Sequence, residues 1–542
     1  MSGARAFEIA VVVRSPFLFQ GIEVAGVGFD SSAQRDELGR PIIPGDHLRG
    51  HLRHALMALL GADAQDYCER LFGEESPEAS NDARKRGALL LGDLHHDGAA
   101  RQVSSYTRIA LMEKTGAVQE GSLQQIELVA PIGEEVCFRG RLVLRPKAPA
   151  DAAQKLLTAL QMIPALGANK SAGFGEVVSE RCELRPLAEP PLITLPNQAG
   201  RYAVTVRFDR PLLVNADRLD NNVFRSATIV PGGAIKGALA QALTDAGQDA
   251  LLDEEFSNIL IGHAFPLQDG MPADRAMPDL MIEAEGKIRF GHEPRVLEDL
   301  SLTGVPSFPG DWKDAAWAQA QRMLGRPAFD HGFLPRGRVA VAPDGIAEEG
   351  KLFVVMPVAT AGHRWRFILD MSDRPSTLCA AVSRELSAGL DGLGRTGARM
   401  IVEKIASISP PAQPAAGEVL LLLETPAALT DLRNGAPLFE QYAAYMHEVL
   451  GAKLLGCWAR QRMAGHYQAI RHRAFGAASY LPFELTEAGA VFHLEVTETT
   501  KLGHALRRGL PPFDAKLTWD TCPFMAENGY GEVSVLDPGL VT

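Results

Sequence analysis

Residues 44–50 read PGDHLRG and residues 231–237 read PGGAIKG. The two stretches share a Pro-Gly, then an aliphatic residue, a cation and a glycine at identical spacing: Leu48 with Ile235, Arg49 with Lys236, Gly50 with Gly237. Each opens a helix-like run, HLRHALMALL after the first and ALAQAL after the second. The loops ahead of them match as well, since Asp30 and Arg35 stand five apart, as do Asp220 and Arg225. The copies lie 190 residues apart at the Asp and 187 at the Pro, so the chain contains an internal repeat with a small loop difference.

Working outward, an apolar β-like stretch precedes each copy: FEIAVVV at 7–13 and RYAVTVRF at 201–208. A third such stretch, EVLLLLE at 418–424, opens the last part of the chain. Three glycine-rich segments close the parts: LGANKSAGFGEVV at 166–178, LDGLGRTGARMIV at 390–402 and AENGYGEVSV at 526–535. Pro-rich stretches at 184–200 and 409–418 read as connections. The expected organisation is a unit at 1–183, a Pro-rich linker at 184–200, a second unit at 201–408 and a third at 409–542. Strand, helix, further strands and a closing glycine loop are the order of a ferredoxin-like β-α-β-β-α-β unit, so the expected class is α+β with tandem ferredoxin-like units.

The composition is compatible with that division. The chain has 542 residues, 46% apolar and 22% charged, enough to bury several cores. Its six cysteines are scattered without a C-x-x-C pair, so neither a zinc ribbon nor a thioredoxin-like site is indicated, and reduced thiols in a cytoplasmic protein are the simplest expectation. Arg14 interrupts the first apolar run, so no signal peptide is expected, and no window of about 18 apolar residues predicts a membrane span. Fifty-four basic against sixty-six acidic residues give a net charge of −12, which argues against a non-specific coat on nucleic acid. A local basic groove remains compatible with it.

Four features could carry chemistry. The glycine loops bearing Lys170 and Ser171, or Arg395 and Thr396, can approach a phosphodiester closely, because glycine lacks a side chain and its N–H groups form anion nests. Neither loop has the spacing of a P-loop or a dinucleotide fingerprint, and a tight turn is the bland alternative. The helices opening at Pro44 and Pro231 put Arg49, Arg53 and Lys236, with His47, His51 and His54, near a helix N-terminus that favours phosphate; an ordinary solvated face is the alternative. Asp30, in a loop, could bind a divalent ion or orient a 2′-hydroxyl for attack, with Arg35 stabilising phosphoryl charge, or be a plain turn residue. Between Gly451 and Phe483 stand Lys453, Arg460, Arg462, Arg471 and Arg473 with Trp458 and Tyr467 and no acidic residue, a pattern for single-stranded RNA or for a basic helix face. The pair His95-His96 reads as an exposed turn, and His263 and His292 as packing or turn residues.

Taken in order, these motifs resemble the RAMP superfamily of CRISPR-associated proteins, above all the repeated backbone subunits of type III effector complexes. The resemblance runs through Asp30-x4-Arg35-Asp36, PIIPGDHLRG, LFG at 71–73, GALLLGD, YTRIALMEKTGAVQEGSLQQIELV at 106–129 and GANKSAGFGEV, covering nearly all of 1–180. It returns more loosely in Asp220-x4-Arg225, PGGAIKG, IGHAFP, GKIRFG and GLGRTGARM, so that 200–542 is similar to larger two-part RAMP proteins. The whole chain then resembles a fusion of a backbone-type RAMP unit with a second RAMP protein, as in type III-D-like systems.

The resemblance implies RNA-recognition-motif-like cores with glycine-rich loops, binding of CRISPR RNA along its backbone, and cleavage of paired target RNA by a loop Asp with a divalent metal, Mg2+. By position that catalytic, metal-binding Asp is Asp30, with Asp220 matching in a loop three residues shorter. RNA contacts are expected at Arg35, His47, Arg49, Arg53, Lys170, Ser171, Gly173, Gly175, Arg225, Lys236, Arg395, Arg460 and Arg462. The implied function is antiviral defence, with CRISPR RNA, target RNA and other effector subunits as partners and no membrane. A non-catalytic RNA scaffold is one alternative. Another is a metal-independent guide-processing endoribonuclease using His466 and Tyr467.

Overall fold

The computed structural model describes residues 5–537 except 23–27, 74–86, 99–103, 113, 189–190, 192, 216, 221, 285–286, 291–319, 342–346, 466–481 and 519–520. His292, His466, Tyr467, Arg471 and Arg473 lie outside the described residues.

The apolar stretch of the N-terminus forms β1 (Arg5–Arg14), whose run of β-branched residues suits a strand buried on both faces. The PGDHLRG segment opens α1 (Gly45–Leu60), which lays Leu48, Leu52, Ala55 and Leu56 against the sheet. Next come β2 (Leu94–His96), β3 (Glu135–Leu144), α2 (Ala152–Gln161) and β4 (Glu183–Pro186). These strands are antiparallel in the order β2-β3-β1-β4, so the third strand in sequence lies between the second and the first. That is the ferredoxin-like arrangement.

The same order occurs twice more. In the second unit β5 (Arg201–Phe208), α3 (Gly232–Asp245), β6 (Phe265–Gln268), β7 (Trp365–Asp370), α4 (Ser376–Ala388) and β8 (Ala398–Ser407) give a sheet β6-β7-β5-β8. In the third, β9 (Gly417–Leu423), α5 (Leu438–Leu450), β10 (Ala452–Trp458), β11 (Val491–Val496), α6 (Thr499–Arg508) and β12 (Val533–Leu536) give β10-β11-β9-β12. Each sheet has its own apolar cluster beneath its helices. The chain is therefore α+β, built from three ferredoxin-like sheets.

Each unit also carries an extra strand pair at the same place in the order, between its second and third core strands. The first is a hairpin of Ser104–Arg108 with Gln124–Leu128. The second pairs Arg336–Val341 with Ala347–Met356 and recruits Asp217–Asp220 and Val223–Arg225 into a four-stranded sheet. The third pairs Gln461–Ala464 with Phe483–Thr486.

The Pro-rich stretch after the first unit is packed rather than loose. Its first residues complete β4, Leu195 is buried in the second core, and the Leu195 N–H donates to Ser387 Oγ at 3.0 Å. Ion pairs join the units: Arg141 to Asp391 at 2.5 Å and Arg336 to Asp93 at 2.6 Å between the first and second, and Arg326 to Glu424 at 2.6 Å between the second and third. Glu424 is almost wholly buried; burial opposes its charge, yet Arg275, Arg326 and the Ser534 hydroxyl hold its carboxyl down to about 2. Among the described residues, no helix is long and apolar enough to cross a membrane.

Candidate nucleic-acid interface

Asp30 sits at an exposed bend that runs alongside the hairpin strand Gln124–Leu128. The Asp30 N–H donates to the Gln125 carbonyl at 2.8 Å, and the Gln125 N–H donates back to Asp30 Oδ2 at 2.7 Å. Two residues along, Glu127 is fully buried and accepts from the Ala33 N–H at 2.8 Å and from the Arg35 guanidinium. A buried carboxylate thus pins the Asp30 loop to the hairpin. Arg35 is taken up by this brace and by a bond of 2.7 Å to the Gly39 carbonyl, so the cation expected on phosphate fixes the loop.

The same hairpin reaches the first glycine loop. Arg108 donates to Asn169 Oδ1 at 3.1 Å, and the rings of Tyr106 and Phe174 meet edge to face at 5.3 Å. Glycine is required at Gly175: φ is +76°, and a Cβ there would lie 1.8 Å from the Leu166 carbonyl oxygen. Beneath the loop, His47 Nε2 accepts from the Gly167 N–H at 3.1 Å, and the His51 ring lies 4.7 Å from that of His47. Burial, followed by the charge of Lys170, pulls the His47 imidazole down to about 4; burial and His47 do the same to His51. His47 is therefore a neutral brace for the loop, not a cation on RNA. Lys170, Ser171 and Gly173 are exposed above it.

The repeated helix cations also have internal duties. Arg49 donates to the carbonyls of Leu89, at 3.1 Å, and Phe72. Lys236 donates to those of Ser257, at 2.5 Å, and Ile259, at 2.8 Å, and burial pulls it down to about 8. Repetition at this position reflects a shared structural task, which tethers the segment after the helix in both units. Arg53 is half-buried on the same face, near Cys68. The helix N-termini are filled by protein as well: Asp93 accepts from the Gly45 N–H at 2.9 Å, and His263 from the Gly232 N–H at 3.1 Å.

The second and third units differ from the first. Asp220 is exposed at the end of a strand in the four-stranded sheet, not at a bend braced by a hairpin. Arg225 is exposed one strand on, and Arg395 is exposed on the second glycine loop, whose backbone N–H donates to the Leu213 carbonyl at 2.8 Å. The third glycine closure is buried against the start of α3: the Tyr530 ring lies 4.7 Å from His263, and a Cβ on Gly232 would lie 2.6 Å from the Asn528 carbonyl oxygen. Within the basic stretch of the third unit, Arg460 pairs with Asp279 at 2.9 Å and Arg462 approaches Glu487 at 3.8 Å. His95 and His96, expected in an exposed turn, lie in β2; His95 bonds Asp36 at 2.8 Å and His96 is buried.

Three of the expected cations, Lys170, Arg225 and Arg395, are thus exposed with no carboxylate partner among the described residues. Asp30 offers a single carboxylate, and among the described residues no group of three His, Cys, Asp or Glu side chains could hold a metal ion. The donor set does not form a protein-built metal cage. The roles of Tyr106, Arg108, Glu127 and Asn169 escaped residue-by-residue reading, because they depend on contacts across 61 to 95 positions of sequence.

The segment holding this arrangement is also the one that matches a known family. Residues 12–178 match the RAMP superfamily. The RAMP match thus spans the Asp30 loop, α1, the hairpin and the first glycine loop. No curated protein matches the sequence. Among the solved structures similar to part of the chain are two of type III-B Cmr-beta. One is a type III-B Cmr-beta complex bound to cognate target RNA, at 18% identity and a TM-score of 0.27, covering 34% of this chain and 62% of that one. The other is the apo state of type III-B Cmr-beta, at 13% identity and a TM-score of 0.25, covering 34% of this chain and 98% of that one.

Proposed function

We propose that this chain is an RNA-binding subunit of a type III CRISPR effector complex that holds guide RNA on its first unit and cuts complementary target RNA beside Asp30. The observation that carries this reading is the meeting of three elements in the RAMP-matching segment: the Asp30 bend, the hairpin braced by Glu127, and a glycine loop presenting the exposed Lys170. Glycine-loop N–H groups and Lys170 suit a sugar-phosphate track. The Gln125 N–H fixes one oxygen of Asp30, which orients the carboxylate toward accepting a proton from a 2′-hydroxyl. Among the described residues no cluster of three ligands surrounds Asp30, so a divalent ion such as Mg2+, which would supply charge stabilisation at phosphate, would draw on Asp30 alone from this part of the chain.

The absence of a three-ligand cluster among the described residues also favours a second reading, in which the chain is a scaffold and another subunit cuts. Cleavage of a guide-complementary RNA by complexes assembled with the wild-type or the Asp30→Ala chain separates the two. Asp30→Ala should remove a cut, by about 100-fold or more in rate, while leaving RNA affinity unchanged. Cutting at wild-type rate by the Asp30→Ala complex would overturn the assignment of the cut to Asp30.

A further inference from the structure

A column of flat side chains rises from the core of the second unit to its surface. Trp365 and Phe329 are buried, with ring centroids 5.8 Å apart. His331 stacks on Phe329 at 4.9 Å, with an interplanar angle of 11°. Phe333 meets His331 at 4.8 Å, and the exposed Arg225 guanidinium lies over the Phe333 ring at 5.6 Å. Asp217 stands across the strand pair from Arg225, yet no carboxylate holds Arg225 among the described residues. The aromatic ring beneath it attracts the guanidinium through its negative face, where Arg35 and Arg460 are instead held by carboxylates.

One polar atom of the column is also left without a donor. The Nδ1–H of His331 donates to the Phe329 carbonyl at 2.8 Å, which makes Nε2 of the neutral ring an acceptor, and Nε2 is buried with no partner among the described residues. The column stands next to the first unit. Glu37, seven residues after Asp30, accepts from the Thr360 N–H at 2.5 Å and from the Ala361 N–H, and the Ala359 N–H donates to the Gly332 carbonyl at 2.9 Å, adjoining His331 and Phe333. A strand leaving the Asp30 bend would therefore pass onto this part of the second unit.

We propose that Arg225, seated over the Phe333 ring, is a stacking site for one unpaired nucleobase of the bound RNA. A guanidinium plane backed by an aromatic ring accepts a base face, whereas a phosphate needs only charge. A base paired in a duplex has both faces occupied by its neighbours, so the site selects an unpaired one. The inference rests on the RNA-binding reading above and adds to it the chemical class and place of one contact in the second unit.

The test uses the full chain and single-stranded RNA carrying 2-aminopurine at successive positions, with the same RNA annealed to its complement as a second arm. The wild type should quench fluorescence at one position of the single strand and not in the duplex. Arg225→Ala should abolish that quenching and weaken single-strand binding about 5- to 150-fold. Arg225→Lys, which keeps the charge and loses the plane, should behave like Arg225→Ala. Both variants alter an exposed side chain, and unchanged melting temperatures will show that they fold. Restoration by Lys, or equal binding of duplex, would replace base stacking with a phosphate contact and overturn the proposal. Wild-type affinity and quenching in both variants would overturn it while leaving RNA binding intact. A wild type that binds neither RNA would overturn the RNA-binding reading and this site with it.

Discussion

At the scale of single residues, what separates the candidate cations is whether the fold already uses their charge. Arg35, Arg49 and Lys236 are directed at Glu127 or at backbone carbonyls, while Lys170, Arg225 and Arg395 reach solvent with no carboxylate partner among the described residues. The histidines fall on the structural side of that division. His47 and His51 are held near 4, below the ordinary 6.5, so the folded state takes up their protons less readily than the unfolded chain. The sign follows from linkage: their contribution to stability is present above about 6.5 and is lost as the pH falls toward 4. Melting temperature measured from pH 7.5 to 4 should fall across that window, and His47→Gln should flatten part of the fall. A flat profile would remove the neutral-brace role.

At the scale of elements, the hairpin and the glycine loop act as one support. Gly175 packs against the Leu166 carbonyl, where a Cβ would lie 1.8 Å away, whereas at Gly173 (φ +83°) the space is open. Gly175→Ala should therefore cost well over 1 kcal/mol and weaken RNA binding through displacement of Lys170, while Gly173→Ala should cost about 1 kcal/mol from its backbone angle alone. Urea unfolding and RNA titration of the two variants check this; equal effects would mean that the loop is not clamped. These elements also show what a sequence can disclose. The P-G-x-x-[LI]-[RK]-G repeat and the three glycine closures revealed the repeated units, because local backbone needs are written locally. The duties of Arg49 and Lys236 were hidden, since a helix cation near a Pro-Gly looks the same whether it meets phosphate or the Phe72 and Ile259 carbonyls. The third closure matched the other two in sequence, yet its burial depends on His263 and Gly232, more than 260 positions away.

At the scale of the whole molecule, three ferredoxin-like sheets are locked together by ion pairs such as Arg141–Asp391 and Arg326–Glu424, so the faces of the units are fixed relative to one another. The third unit covers the start of α3, leaving the glycine loops of the first and second units with exposed cations. A net charge of −12 is compatible with RNA binding in this arrangement, because exposed cations such as Lys170, Arg225 and Arg395 make a local positive charge that the total does not report. The central claim is that RNA lies along the first unit between the hairpin and its glycine loop. Ultraviolet cross-linking of guide RNA to the intact chain, with the cross-linked peptides mapped, tests it most directly. The account predicts cross-links within 104–128 and 167–175. Bound RNA that cross-links only elsewhere, such as to the Arg49 face of α1 or the basic stretch of the third unit, would contradict it.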